Sequence, residues 1–81
     1  MLTSGQIADR ISSILVERLG IEAGRIAERA RIEGDLEATS IEVLETIMSL
    51  EDEFDIAISD REAEKLETVG DVIALVREKL H

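Results

Sequence analysis

Asp35-Leu36-Glu37-Ala38-Thr39-Ser40-Ile41-Glu42 carries the chain out of a polar stretch and into a helix. Thr39 with Glu42 three residues on has the spacing of a capping box, in which the threonine hydroxyl accepts the glutamate's backbone N–H and the carboxylate reaches back to the threonine N–H. Ser40 then opens the first turn, beside N–H groups that no helix can satisfy internally. Those free amides and the positive end of the helix dipole favour an anion there by roughly 0.3–1 kcal/mol on an exposed surface. A phosphate esterified to the Ser40 hydroxyl would therefore be well placed. The plainer reading is that Ser40 only starts a helix.

From Ser40 the helical spacing runs on to Phe54, with apolar residues on two faces rather than one. With Val43 at zero and about 100° per residue, Ile47, Leu50 and Phe54 fall within about 40° and form a core stripe. Leu44, Met48 and Ile41 fall at about 100°, 140° and 160°, bordered by Glu51 at about 80° and by Asp52 and Glu45 at about 180° and 200°. A helix in a monomer needs one apolar stripe. A second, ringed by acid, has the anatomy of a partner site, and methionine suits surfaces that repack against several partners. The alternative is that the preceding segment or the next helix covers these residues, and partial cover of at least one of the three is expected.

Three further cap patterns, Thr3/Gln6, Ser59/Glu62 and Thr68/Asp71, place the other helices. The first runs from about Ser4 to Leu19, with Ile7, Ile11, Ile14, Leu15 and Leu19 on one face and Gly20 as its stop. A short third helix, about Asp60 to Leu66, buries little beyond Ala63 and Leu66. The last spans about Val69 to Leu80, with Val69, Val72, Ile73, Val76 and Leu80 at helical spacing. The fold class is all-α: a small four-helix bundle of three longer helices and one short one, with a long ordered crossover after the first. That crossover, Gly20 to Ala38, is anchored by Ile21, Ile26, Ala30, Ile32 and Leu36, with a helical turn inside it.

Residues 1–81 read as a single domain with a thin core, burying about 60–65% of the surface of the unfolded chain. There is no cysteine, so neither a disulfide nor a thiolate metal site holds it together. Proline, tryptophan and tyrosine are absent and Phe54 is the one aromatic residue, which disfavours a strand-rich fold. The longest apolar run, Val72-Ile73-Ala74-Leu75-Val76, is far below the ~18 residues of a membrane span, and no signal pattern opens the chain, so a cytoplasmic protein is expected. The net charge of −10 is unevenly placed: residues 1–34 hold five acids and five bases, residues 35–81 fourteen acids and four bases. Such a surface repels nucleic acid and anionic membrane and should steer basic partner proteins toward itself; the plainer reading is that the acid only keeps the chain in solution.

No self-contained active site is present. The single histidine is His81, so no nucleophile–base pair of the acyl-transfer kind can be assembled. Asp52-Glu53-Phe54-Asp55 fails as a calcium loop, having Phe54 at the third position and no glycine, and no specific metal site is expected. An acidic protein without reactive groups still takes part in chemistry when a prosthetic arm supplies them. Ser40 is the natural attachment point.

Over Ile7 to Val76 the chain resembles bacterial acyl carrier proteins of the type II fatty acid synthase kind. The similarity is closest at Asp35-Leu36, Ala38, Ser40 and Leu50-Glu51-Asp52-Glu53-Phe54-Asp55-Ile56, then Ile58, Asp60 and Ala63-Glu64-Lys65. The resemblance implies that Ser40 carries 4′-phosphopantetheine, taken from coenzyme A by a phosphopantetheinyl transferase. It implies a four-helix bundle that carries acyl groups as thioesters and lets the acyl chain enter between its helices. It also implies a carrier rather than an enzyme. Partner enzymes of fatty acid, specialised lipid or polyketide synthesis would grip the second helix through basic residues, at Thr39, Ile41, Leu44, Glu45, Met48, Glu51 and Asp52. An acidic monomer is the simplest expectation.

Three departures stand out. The family's Asp-Ser-Leu reads Thr39-Ser40-Ile41, Glu37 stands where glycine is usual, and Ser59 replaces a common proline. Thr39 still caps the helix, within ~1 kcal/mol of aspartate. The family's transferase reads the acidic start of this helix, so a neutral Thr39 implies slower modification or a dedicated transferase, with Glu37 returning a charge nearby. The Thr39-Ser40-Ile41 sequence suggests a specialised carrier. Two alternatives remain open: an aminoacyl or peptidyl carrier, and an unmodified carrier-like interaction module in which Ser40 is only a helix-start residue.

Overall fold

Among the described residues, a hydroxyl side chain followed three residues later by an acid or amide starts each of the four α-helices. The computed structural model describes residues 2–80, so Met1 and His81 lie outside the described residues. The helices are α1 (Ser4–Leu19), α2 (Ser40–Phe54), α3 (Asp60–Glu64) and α4 (Val69–Leu80), with a 3₁₀ turn at Ala23–Arg25 inside the crossover. Thr3, Thr39 and Ser59 each form a reciprocal capping box, with Gln6, Glu42 and Glu62 respectively. At α4, Asp71 N–H donates to the Thr68 hydroxyl at 3.1 Å, and the Asp71 carboxylate accepts the N–H groups of Thr68 and Glu67 at 3.0 Å.

The helix ends are equally local. Gly20 closes α1 in the left-handed conformation, φ 63°, its N–H donating to Val16 O. Asp55 closes α2 in the same way at φ 53°, and the Ile56 N–H reaches the Glu51 carbonyl at 3.1 Å. The short third helix ends at Glu64, before the Leu66 that the spacing predicts. Lys65 and Leu66 donate to carbonyls only three residues back, at 3.2 and 3.1 Å, so the last turn tightens instead of continuing.

The helix α1 lies between α2 and α4 and packs on both. Its wholly buried Ile7, Ile11 and Leu15 meet Ile47, Leu50 and Phe54 from α2 and Val69, Val72, Ile73 and Val76 from α4. On α2 the buried stripe also takes in Thr46, while Val43 at its N-terminal end is half-buried. Thr46 enters the core without an unpaired group because its hydroxyl donates to the Glu42 carbonyl one turn back, at 2.8 Å.

The crossover is ordered by the backbone of α4. Ala30 and Glu28 offer their carbonyls to Val69 N–H (3.0 Å) and Gly70 N–H (2.8 Å), two donors that α4 cannot satisfy itself, and Ile32 N–H returns a bond to Glu67 O at 2.9 Å. An isolated bridge between Arg31 and Thr68 marks this pairing. Ile32 and Leu36 are buried, as expected, together with Ala38; Ile21, Ile26 and Ala30 pack half-buried at the edge.

The crossover lies so close to α4 that a Cβ built on Gly70 would sit 3.0 Å from the Glu28 carbonyl oxygen, whereas one on Gly5 meets only Thr3 Oγ1, at 3.9 Å. Gly70→Ala should lower stability by about 1 kcal/mol despite alanine's better helix propensity, and Gly5→Ala should raise it by about 0.5 kcal/mol. Urea midpoints of the two variants check the opposite signs.

Glu62 joins α3 to α4: it accepts Lys79 Nζ and the Ser59 N–H, at 2.9 and 3.0 Å. Chiefly the lysine, and then the cap, hold its carboxyl down from 4.5 to about 2. A depressed carboxyl contributes stability that is complete above its unfolded value and lost as pH falls through its folded one. The stability gap between the wild type and Glu62→Gln should therefore be full at neutral pH and close between pH 4.5 and about 2, read as urea midpoints.

Candidate functional site

The start of α2 is set by the crossover. Arg31 N–H donates to the Asp35 carboxylate at 2.8 Å, Asp35 and Leu36 return N–H bonds to Arg31 O, and the Arg25 guanidinium donates to Asp35 O at 2.7 Å. Ala38 N–H closes this loop on Ile32 O at 3.1 Å. Leu36 and Ala38 point into the core, and Glu37 between them stays exposed with φ 56°. The left-handed conformation costs a residue with a Cβ roughly 1–2 kcal/mol, which explains why glycine would be at ease here.

Thr39 and Ser40 follow, both exposed. Thr39 Oγ1 accepts Glu42 N–H at 3.2 Å and the Glu42 carboxylate accepts Thr39 N–H at 3.0 Å. Val43 N–H goes to Thr39 O, leaving the N–H groups of Ser40 and Ile41 without an acceptor among the described residues. The Ser40 hydroxyl likewise makes no hydrogen bond among them. An exposed hydroxyl beside two free amides fits a phosphodiester: the amides can donate to its oxygens, and no side chain must move. The start of α1 offers the same local geometry, since Ser4 is also exposed and follows the capping threonine Thr3. Cap chemistry alone therefore does not single out Ser40.

The outer face of α2 separates the two. Ile41, Leu44 and Met48 are 70, 58 and 56% exposed, so the expected partial cover is absent. The crossover is tied to α4 and cannot reach this face, and α3 is a helix of five residues. Glu45 and Asp52 lie exposed at one edge of the strip. Glu51, at the other edge, is half-buried, and its carboxylate accepts the Ile58 N–H at 2.9 Å. That contact holds the segment after α2 against the core, a role the sequence did not announce. Its one signal was the place of Glu51 on the wheel, between the buried stripe and the exposed strip. Among the described residues, no group of three or more His, Cys, Asp or Glu is placed to hold a metal ion. No helix there is long and apolar enough to cross a membrane.

Known proteins resemble this chain in both sequence and fold. Residues 9–76 match the family described as phosphopantetheine attachment site. Among solved structures, the chain is similar to an acyl carrier protein from Enterococcus faecalis noted for high thermal stability. The two share 36% sequence identity over 96% of this chain and 99% of that one, with a TM-score of 0.81.

The strained backbone at Glu37 gives a direct expectation. Glu37→Gly should raise stability by about 0.5–1 kcal/mol, the relief of the Cβ clash exceeding the extra freedom glycine has when unfolded. The urea midpoint should rise at unchanged m; a fall would show that the glutamate side chain makes a contact worth more than the strain.

Proposed function

The chain belongs to the acyl carrier protein family, and on that premise we propose that Ser40 is the residue to which 4′-phosphopantetheine is attached. The family's domain is the attachment site of that group. Once bound, the group supplies a thiol that carries an acyl chain as a thioester, a function no side chain here can supply in the absence of cysteine. Ser40 contributes its hydroxyl oxygen, which loses its proton and bonds to the phosphorus of the phosphopantetheinyl half of coenzyme A as the nucleotide half leaves. The free N–H groups of Ser40 and Ile41 would be available to donate to the resulting phosphodiester, and the Thr39 cap holds the first turn that carries them. The observation that carries the choice of Ser40 over Ser4 is the neighbourhood. Only Ser40 opens a helix whose exposed face bears Ile41, Leu44 and Met48 with Glu45, Glu51 and Asp52 beside them.

That face is the docking surface for the transferase and for acyl-transferring enzymes with basic surfaces. Its apolar strip supplies contact area, and its carboxylates steer cations to the serine. Thr39 takes the aspartate's capping role but not its charge, which favours a specialised carrier in lipid or polyketide synthesis served by its own transferase, over the fatty acid cycle. The chain works in the cytoplasm as a monomer.

Incubation with coenzyme A and a broad-specificity phosphopantetheinyl transferase tests the assignment. Intact mass should show one phosphopantetheinyl group added to the wild type and to Ser4→Ala, and none to Ser40→Ala. Thr39→Asp should be modified several-fold faster than the wild type at low salt, by the charge it returns. Addition of the group to Ser40→Ala would refute the attachment site.

A further inference from the structure

Among the described residues, Arg18 stands beside the acidic strip without an ion-pair partner. Arg18, in the last turn of α1, is exposed and lines a groove of about 200 Å³ with Glu45, Met48, Ser49 and Asp52. The same arginine borders a second groove along the α1–α2 seam, with Ile14, Glu17, Ser49, Asp52 and Glu53. Further along that seam, Arg10 is committed to Glu53 at 2.9 Å, whereas Arg18 makes no ion pair among the described residues. Four carboxylates line its two grooves and none holds it. Its guanidinium is therefore free to meet whatever approaches Met48 from the α1 side.

We propose that Arg18 is a specificity determinant of the docking face. It weakens partners whose surface is uniformly basic and fits those that set a carboxylate beside the cations opposite Glu45 and Asp52. This rests on the reading of the α2 strip as the docking surface. The physics is that of discrimination by repulsion: a like charge brought against a docking surface lowers affinity for the wrong partner without any new contact to the right one. The other role open to an arginine in the last turn of a helix, favourable interaction with the helix dipole, bears on stability alone. It predicts no change in docking.

The test is steady-state modification of the full chain by a broad-specificity phosphopantetheinyl transferase with a uniformly basic docking surface, at low and at high salt. Arg18→Glu should raise kcat/KM about 3- to 10-fold at low salt, through KM, and the gain should fade at high salt. Arg77→Glu makes the same change of net charge on α4, away from the strip, and should leave kcat/KM as it is. Glu45→Lys should lower it. An unchanged or lowered kcat/KM for Arg18→Glu, with Glu45→Lys still impaired, overturns the role of Arg18 and leaves the docking reading intact. An equal gain for Arg77→Glu also overturns it, by showing that total charge alone is read. If Glu45→Lys matches the wild type, the docking surface itself has been misplaced, and the proposal falls with it.

Discussion

The backbone pairing between residues 28–32 and 67–70 is the constraint on which the rest of this molecule depends. A chain without cysteine has no covalent means of ordering a long connection, and a thin core offers few places to bury one. Here the crossover supplies carbonyls to the first N–H groups of α4, which would otherwise go unsatisfied, and receives an N–H bond in return from Ile32 to Glu67. Two open-ended elements complete each other. Because Ile32 also accepts Ala38 N–H, the same pairing fixes the residue before the Thr39 cap, and through it the start of α2.

The consequence for function is a separation of tasks along α2. Its inner stripe of Thr46, Ile47, Leu50 and Phe54 packs into the core, mainly against α1, while the outer strip is left free because the crossover is occupied elsewhere. An exposed apolar strip invites self-association unless something keeps like surfaces apart. The excess acid of residues 35–81 does so by repulsion and, on the proposed docking reading, also attracts basic surfaces. Glu51 belongs to both faces: its position borders the strip, yet its carboxylate is bound to Ile58 N–H. A cation docking at that edge meets a group already at work inside the fold.

Much of this was legible in the sequence because the signals are local. A threonine or serine followed by a glutamate or glutamine marks a helix start through contacts spanning three residues, and the beginnings of α1, α2 and α3 follow from them. The second apolar face of α2 followed from periodicity alone. What escaped depended on neighbours distant in sequence or on backbone geometry that composition does not encode. The early end of α3 reflects a tightened last turn. The burial of Thr46 depends on a hydroxyl satisfied by its own helix, which lets a polar residue sit where pattern reading expects an apolar one. The left-handed Glu37 was visible only as an odd residue in a family position; its reason, a turn between buried Leu36 and Ala38, appears once both are seen packed.

The parallel between Ser4 and Ser40 shows where local chemistry stops deciding function. Both serines follow a capping threonine, both are exposed, and both open a long amphipathic helix. A free hydroxyl at a helix start is thus a common by-product of capping, and a modifying enzyme cannot find its target from that feature alone. Discrimination has to come from groups reached over a wider footprint. Around Ser40 the groups proposed for this are Ile41, Leu44 and Met48, with the carboxylates of Glu45 and Asp52 on one flank and the cation of Arg18 beyond them. In α1 the face that carries Ile7, Ile11, Ile14 and Leu15 is spent on the core, and its first turn has no acid. The serine is common; on the proposed assignment, the second, unspent face of the helix it opens is what distinguishes Ser40 from Ser4.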